Sequence, residues 1–395
     1  MRRIDLKNVN VARSNTIRDI NRQIVLNYVR EKGPISRADI ARETDLQRST
    51  ISHIVKELTH FNLIKEVDGE SSGGRPPALL TLRSARPIAI GVDLGTVKTT
   101  VATCDLTGRI IEKEEFWTDS AEERTTSLII ESVRNQLSKN GGTIEGIGVS
   151  LPALVDTRKE HVLFSPHFMW RDPQIIEKIS TATGIPVTAE NDANAAALAE
   201  LWFGRPEIRH VRDFILVFIE NGIGTGIVFD GQVYRGPAGV AGEFGHMRIG
   251  TDAPIECATG SRECWEAFAS EKSALSRYEA RLGDQSHASR ISFIQLVDLA
   301  LDGDENALFA LKETAKYIGI GMGNLIQGLS PEAIIVGGSI VRAWPLIAGD
   351  IQSSAGQVIC QGIHETKIMA STLGEPGLLG AFSLVLADKF ASISI

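Results

Sequence analysis

Asn191-Asp192, Glu243-Phe244-Gly245-His246 and Glu266 gather amides, carboxylates and an imidazole in three short stretches of one chain. Sugar hydroxyls donate and accept at once, so a site that matches them needs such groups at fixed positions. Left unpaired, the same groups reject an analogue that lacks a hydroxyl. The glycines point to a second chemistry. Asp93-x-Gly95-Thr96 and Gly222-Ile223-Gly224-Thr225-Gly226 each suit a loop whose backbone N–H groups cradle phosphate. Glu220-Asn221 stands directly before the second run and puts a carboxylate where a triphosphate would lie. Two unit charges about 4 Å apart repel by about 4 kcal/mol at an effective dielectric near 20. That weakens ATP roughly a thousandfold if Glu220 faces inward.

Positioning these groups requires an α/β body. From Pro87 onward, strands alternate with helices. Ile88 to Val92 reads as a buried strand ending at Asp93, with Val101–Asp105 and Ile110–Phe116 as antiparallel neighbours. A helix from Arg124 to Lys139, the strand Ile147–Ser150 and the strand Val187–Glu190 lead to a small-residue helix, Ala193 to Trp202. Phe214–Ile219 then opens a second half in the same way, with residues 221–226 as a turn and Ile227–Tyr234 as the returning hairpin. Two halves that begin alike suggest duplicated lobes facing a cleft, where ligands commonly sit.

A different pattern precedes the body. Ile17, Ile20, Ile24, Val25, Tyr28 and Val29 recur at helical spacing before a Gly33-Pro34 stop. Ser36 is placed to cap a helix over Arg37–Thr44, and a third helix is expected from about Ser49 to His60. The third helix has an apolar face (Ile51, Ile54, Val55, Leu58) opposite Arg48, Ser49, Thr50, Ser52, His53 and Lys56. That is the layout of a helix-turn-helix whose second helix reads base edges in the major groove; a small helical bundle with a solvated face is the plainer alternative. Leu63–Val67 and Ala78–Leu82 read as two strands joined by a Gly- and Pro-rich tip containing Arg75. Such a wing can enter a minor groove, and the same segment can serve as a linker.

Charge agrees with this division. The whole chain carries −8, yet residues 1–83 hold 15 Lys/Arg against 10 Asp/Glu. A basic head on an acidic body directs phosphate backbones to one end. At 395 residues the chain is long enough for two or three domains. No apolar run approaches the roughly 20 residues that span a bilayer, and the N-terminus lacks the apolar stretch of a signal peptide. The expected compartment is therefore the cytoplasm, in keeping with four cysteines that form no disulfide framework.

The motifs together resemble the ROK family of sugar repressors and sugar kinases. Asp93-x-Gly-Thr and Gly222-Ile-Gly-Thr-Gly226 are similar to its two phosphate motifs, and Glu190-Asn-Asp-Ala-Asn194 to its sugar and catalytic motif. Gly242-Glu-Phe-Gly-His246, Cys257 to Glu266 and Ile335-Val-Gly-Gly-Ser339 fall in family order. The resemblance spans essentially the whole chain, including a winged head that the kinases usually lack. It implies a winged helix-turn-helix domain over 1–83 and a two-lobed actin/hexokinase-like body, RNase H-like and duplicated. Residues 84–195 with 376–395 would form its first lobe, and 196–375 a second lobe with sugar-binding and oligomerisation elements.

Similarity implies sugar contacts from Asn191, Asp192, Glu243, His246 and Glu266, with Asp192 the general base if the chain is a kinase. The family's kinases carry Gly-Thr where this chain has Glu220-Asn221 and again where it has Thr96-Val97, so the ATP site reads as vestigial. Similar proteins hold a structural zinc through one histidine and three cysteines. Here the positions are His246, Cys257, Thr259 and Cys264. Thr259 leaves three usual ligands where a closed site wants four; water or another side chain completes it, or the cysteines are packed thiols without metal. The expected protein is a homodimeric or homotetrameric repressor of carbohydrate-utilisation genes that binds double-stranded operator DNA and a sugar effector. The alternative is an ATP-dependent sugar kinase carrying a DNA-binding head.

Overall fold

The computed structural model describes residues 14–390 except 71–76, 85, 141–143, 157–160, 172, 209–210, 284–290 and 361–364. Helix α1 (Ser14–Lys32) leads through the short strand β1 (Ile35–Ser36) to α2 (Arg37–Thr44) and α3 (Arg48–His60). The Ser36 hydroxyl accepts the Asp39 N–H at 3.1 Å, the bond that makes serine a favoured N-cap. Asp45 ends α2 in a left-handed conformation, φ 56°, and so turns the chain tightly into α3. Ile51, Ile54, Val55 and Leu58 are buried against Val25, Leu26 and Val29 of α1, as one apolar face requires. Strands β2 (Ile64–Asp68) and β3 (Ala78–Leu82) pair antiparallel, and β1 joins the other side of β3. The expected wing is thus a three-stranded sheet. Arg75, at its tip, lies outside the described residues.

The body begins with β4 (Ala89–Leu94), β5 (Lys98–Cys104), β6 (Ile110–Trp117), α4 (Glu122–Asn140) and β7 (Gly146–Leu151). Three small strands, β8 (Leu154–Asp156), β9 (His161–Ser165) and β10 (Trp170–Arg171), precede α5 (Ile175–Thr183), β11 (Val187–Asn191) and α6 (Asp192–Phe203). A second series runs through β12 (Phe214–Ile219), β13 (Ile223–Phe229), β14 (Gln232–Val233), α7 (Trp265–Ala269), α8 (Glu271–Leu282) and α9 (Phe293–Leu301). It continues with α10 (Glu305–Leu329), β15 (Ala333–Gly337), α11 (Trp344–Val358), β16 (Lys367–Ala370) and α12 (Pro376–Phe390).

The two large sheets share one plan. Their orders are β11-β7-β4-β5-β6 and β14-β13-β12-β15-β16. In each, the opening strand is central, its antiparallel hairpin lies on one side and two parallel strands lie on the other. Central strands such as Ile90-Gly91-Val92 and Ile334-Ile335-Val336 are buried throughout, because parallel strands covered on both faces need continuous apolar runs. The edge strand β6 instead carries Glu112, Lys113, Glu114 and Glu115, charges that discourage pairing with another chain. One expectation needs correction. The glycine run 222–226 is not a turn, since β13 starts at Ile223 and only Glu220 to Gly222 reverse the chain. Among the described residues, no helix is long and apolar enough to cross a membrane.

Candidate functional site

A cleft of about 430 Å³ is lined by Asn191 and Asp192 from the first series and by Glu243, His246 and Glu266 from the second. All five residues expected to meet a sugar are therefore brought together. Asn191 sits at the N-terminus of α6, where its Oδ1 accepts the Ala193 and Asn194 N–H groups at 3.0 and 3.2 Å. Its Nδ2 donates to the Ala153 carbonyl at 3.2 Å, so most of its capacity is committed to holding the loop. Asp192 accepts the Ala193 N–H through Oδ1 at 2.8 Å. Burial, reinforced by the charges of Asp93 and Glu243, pushes its carboxyl up to about 7. Glu266 accepts the Ile223 N–H at 3.2 Å and the Ala258 N–H at 3.0 Å, tying β13 to the loop that bears Cys257.

The glycines have in part a structural explanation. A Cβ on Gly222 would lie 2.6 Å from Glu266 Oε2, and one on Gly226 would lie 2.5 Å from the Ala193 carbonyl oxygen. At Gly226 the obstacle is the backbone of α6, which cannot give, so packing calls for glycine there; at Gly222 it is the end of the Glu266 side chain, which can move aside. Sequence cannot separate that cause from phosphate binding. On the phosphate side of the cleft, Asn221 Nδ2 donates to Thr96 Oγ1 at 3.1 Å. One residue from each of the two pairs that depart from the kinase pattern thus bonds to the other across the cleft. Glu220 lines the same wall with its side chain partly open to solvent; loss of hydration within the cleft, then the charges of Asp192 and Asp93, push its carboxyl up to about 7.

Three other participants escaped the sequence reading. Lys272 lines the cleft together with His167, whose pKa is lowered by partial burial and then by Lys272. Beneath the wall, Glu271 is buried and accepts a short hydrogen bond from the Ser339 hydroxyl. Arg235, just after β14, reaches Glu190 of β11 with Nε 2.5 Å from Oε2. No local pattern marks any of them.

His246, Cys257 and Cys264 offer one ring nitrogen and two sulfurs within 4.8 Å of one another. The buried His246 Nδ1 has no hydrogen-bond partner, and Thr259 Oγ1 lies 3.1 Å from Cys257 Sγ. An orphaned imidazole nitrogen beside two thiols fits a zinc-type donor set.

On the head, Arg48, Ser49, Ser52, His53 and Lys56 are exposed along α3, and Thr50 is half-buried. Ser52 Oγ donates to the Arg48 carbonyl at 2.8 Å. His53 Nε2 lies 3.4 Å from Glu57, which also pairs with Arg18. Arg48 is the first residue of α3, which begins one residue before its expected start.

Comparison with known proteins places both parts. Residues 89–388 match the ROK family, and residues 18–60 match a winged helix-turn-helix DNA-binding family. The xylose repressor of Bacillus spizizenii is 31% identical over 391 residues, covering 98% of this chain and 99% of the repressor. A crystal structure of a ROK family transcriptional regulator, a homologue of the E. coli MLC protein, superposes with a TM-score of 0.80 at 27% identity, covering 95% of this chain and 98% of that one. A ROK family glucokinase from Streptomyces griseus, in complex with glucose and AMPPNP, gives a TM-score of 0.66 at 31% identity. It covers 98% of the kinase but 75% of this chain.

Proposed function

This chain belongs to the ROK family, and from that premise we propose that it is a sugar-responsive DNA-binding transcriptional repressor rather than a sugar kinase. The observation that carries the second half is the Asn221–Thr96 hydrogen bond, with Glu220 beside it. A side-chain hydrogen bond spans the wall where a kinase needs backbone amides free for a polyphosphate. Gly224 and Gly226 do not separate the two readings, because packing against α6 asks for glycine there in either case. Asp192 is useful to a binding protein as it stands, since a carboxyl near half-protonation both donates to and accepts from a hydroxyl. Zinc, held by His246, Cys257 and Cys264, would fix the loop on which Glu266 bears. Two heads in a homodimer or homotetramer would read a pseudo-palindromic operator.

Sugar regulates DNA binding only if it prefers one arrangement of the protein over another. The test measures affinity for a DNA fragment from upstream of the protein's own gene, with and without a panel of free and phosphorylated sugars. The panel starts with xylose, the sugar in the name of the Bacillus spizizenii repressor. An affinity unmoved by every sugar would overturn the regulatory reading. Robust hexose-dependent ADP release, lost in Asp192→Ala, would restore the kinase.

Two substitutions probe the surfaces separately. Asp192→Ala should weaken sugar binding by about 10- to 150-fold, the value of one hydrogen bond to a charged group, with operator affinity in the absence of sugar unchanged. Calorimetry giving a parent-like Kd would remove Asp192 from the site. On α3, Lys56→Ala should weaken all DNA sequences alike and reduce the salt slope by about 1, whereas Arg48→Ala should cost roughly 1–3 kcal/mol and relax base preference. Filter binding across a salt series distinguishes the two patterns; identical slopes for parent and Lys56→Ala would exclude a phosphate contact.

A further inference from the structure

Helix α6 joins the cleft to the head. Its N-terminus holds Asn191 and Asp192 on the cleft wall. Over the ten residues from Asp192 to Trp202, at about 1.5 Å each, the helix carries the chain roughly 15 Å. There the Arg30 guanidinium of α1 lies 4.4 Å from the Trp202 ring centroid and 4.9 Å from that of Phe390 in α12. The two rings also meet, with centroids 5.7 Å apart. Asn27, one turn earlier in α1, donates from Nδ2 to the Phe390 carbonyl at 2.7 Å. The head is thus clasped to the C-terminal ends of two body helices.

Packing around the clasp is continuous. One apolar cluster runs from Val25, Leu26 and Val29 of α1 to Leu378, Phe382 and Leu386 of α12. A Cβ on Gly380 of α12 would lie 2.1 Å from the Ala195 carbonyl of α6, so the two helices cross backbone to backbone. A shift of one displaces the other, because close-packed interiors deform by discrete repacking rather than by compression.

We propose that α6 is the element through which the cleft acts on the DNA-binding head, and that the Arg30–Trp202–Phe390 clasp is the joint it moves. This rests on the reading of the cleft as a sugar site. A ligand gripped at Asn191 and Asp192 contacts α6 at one end, and the helix passes a tilt or a slide of an ångström or two to Trp202. Arg30 rides on that ring, so the head changes its pose relative to the body. Trp202 and Arg30 are positioning residues in this scheme and touch neither sugar nor DNA.

The test uses the full chain with Trp202→Leu, Trp202→Phe, Arg30→Ala and Arg30→Lys. Affinity for the upstream DNA fragment is measured with and without D-xylose, D-glucose or N-acetylglucosamine, and sugar affinity with and without DNA. Couplings of this kind are commonly 5- to 150-fold, and linkage makes the two ratios equal. In Trp202→Leu and Arg30→Ala, sugar affinity should stay within about threefold of the parent and both ratios should fall toward 1. Trp202→Phe and Arg30→Lys, which keep a ring or a cation, should retain most of the response. Mere structural damage would instead lower both affinities and leave the ratio intact. A folded Trp202→Leu or Arg30→Ala with the parental ratio overturns the relay alone. A parent protein that binds sugar and DNA without mutual effect overturns both the relay and the regulatory reading. If Trp202→Leu fails to fold, the half-buried Arg30 variants carry the same comparison.

Discussion

Replacing Arg235 with methionine is expected to destabilise the folded protein by about 3 kcal/mol and to weaken sugar binding in the same variant. The reason is the state in which it leaves Glu190, whose side chain is 1% exposed. Glu190 Oε1 accepts the Asn191 N–H at 3.0 Å and an Asn194 Nδ2–H at 3.2 Å, and Oε2 meets Arg235 at 2.5 Å. Removing the guanidinium strands a buried carboxylate, a loss that typically costs 3–5 kcal/mol. The lower end applies because Arg235 is 31% exposed, so water can follow the truncated side chain inward. Glu190→Gln/Arg235→Met should recover most of the loss, since it removes the charge along with its partner. Denaturant midpoints decide the matter: a single variant as stable as the parent, or a double variant no better than the single, would show that the pair contributes little. The effect on sugar follows from connectivity. Arg235 directly follows the second sheet's hairpin, and Glu190 belongs to the first sheet's last strand, directly before Asn191-Asp192. The ion pair therefore sets how the two cleft walls face each other.

Which features sequence revealed depended on whether their cause was local. Helix α2 ran over its expected residues because its cap and its stop, Ser36 and Asp45, are both adjacent to it. Strand β12 matched expectation because Phe214–Ile219 is unbroken apolar sequence. Helix α3 began one residue early because Gln47, not Arg48, takes the extended cap conformation. The five cleft residues were legible as a family pattern, though Asn191 proved to be largely a helix cap. What stayed hidden was pairwise and distant. Thr96 and Asn221 are 125 residues apart, Ser339 and Glu271 are 68 apart, and Arg235 and Glu190 are 45 apart. No periodicity or spacing marks such partners. The packing that Gly224 and Gly226 allow was hidden for a related reason, since Ala193, which crowds both, lies some thirty positions away in sequence.

Raising the pH from 5.5 to 9 is expected to destabilise the protein progressively, and Glu271→Gln should flatten part of that decline. Burial, and secondarily the charge of Glu220, push the Glu271 carboxyl up to about 8. Asp93 is raised to about 6 by burial and by Glu375, against a lowering contribution from Ser150. Asp192 is raised to about 7 by burial and its acidic neighbours. In each case the folded-state value exceeds that of the unfolded chain, so the folded protein keeps protons that the unfolded chain has released. Such groups stabilise most below their unfolded values and lose that contribution as pH rises through the folded ones. Each titrating group contributes a slope of about 1.4 kcal/mol per pH unit within its window. Glu271→Gln keeps an oxygen for the Ser339 hydroxyl but cannot ionise. It should match the parent at about pH 4, below the value of the unfolded carboxyl, and become increasingly the more stable protein from there to pH 9. Parallel pH profiles for the two proteins would remove Glu271 from the account. The same titration bears on the nucleotide question, because the groups that ionise as pH rises include Glu220 and Asp192 on the cleft wall. A polyphosphate would meet growing repulsion there under the alkaline conditions in which its own charge is highest, so any residual ATP binding should weaken with pH while binding of a neutral sugar changes far less.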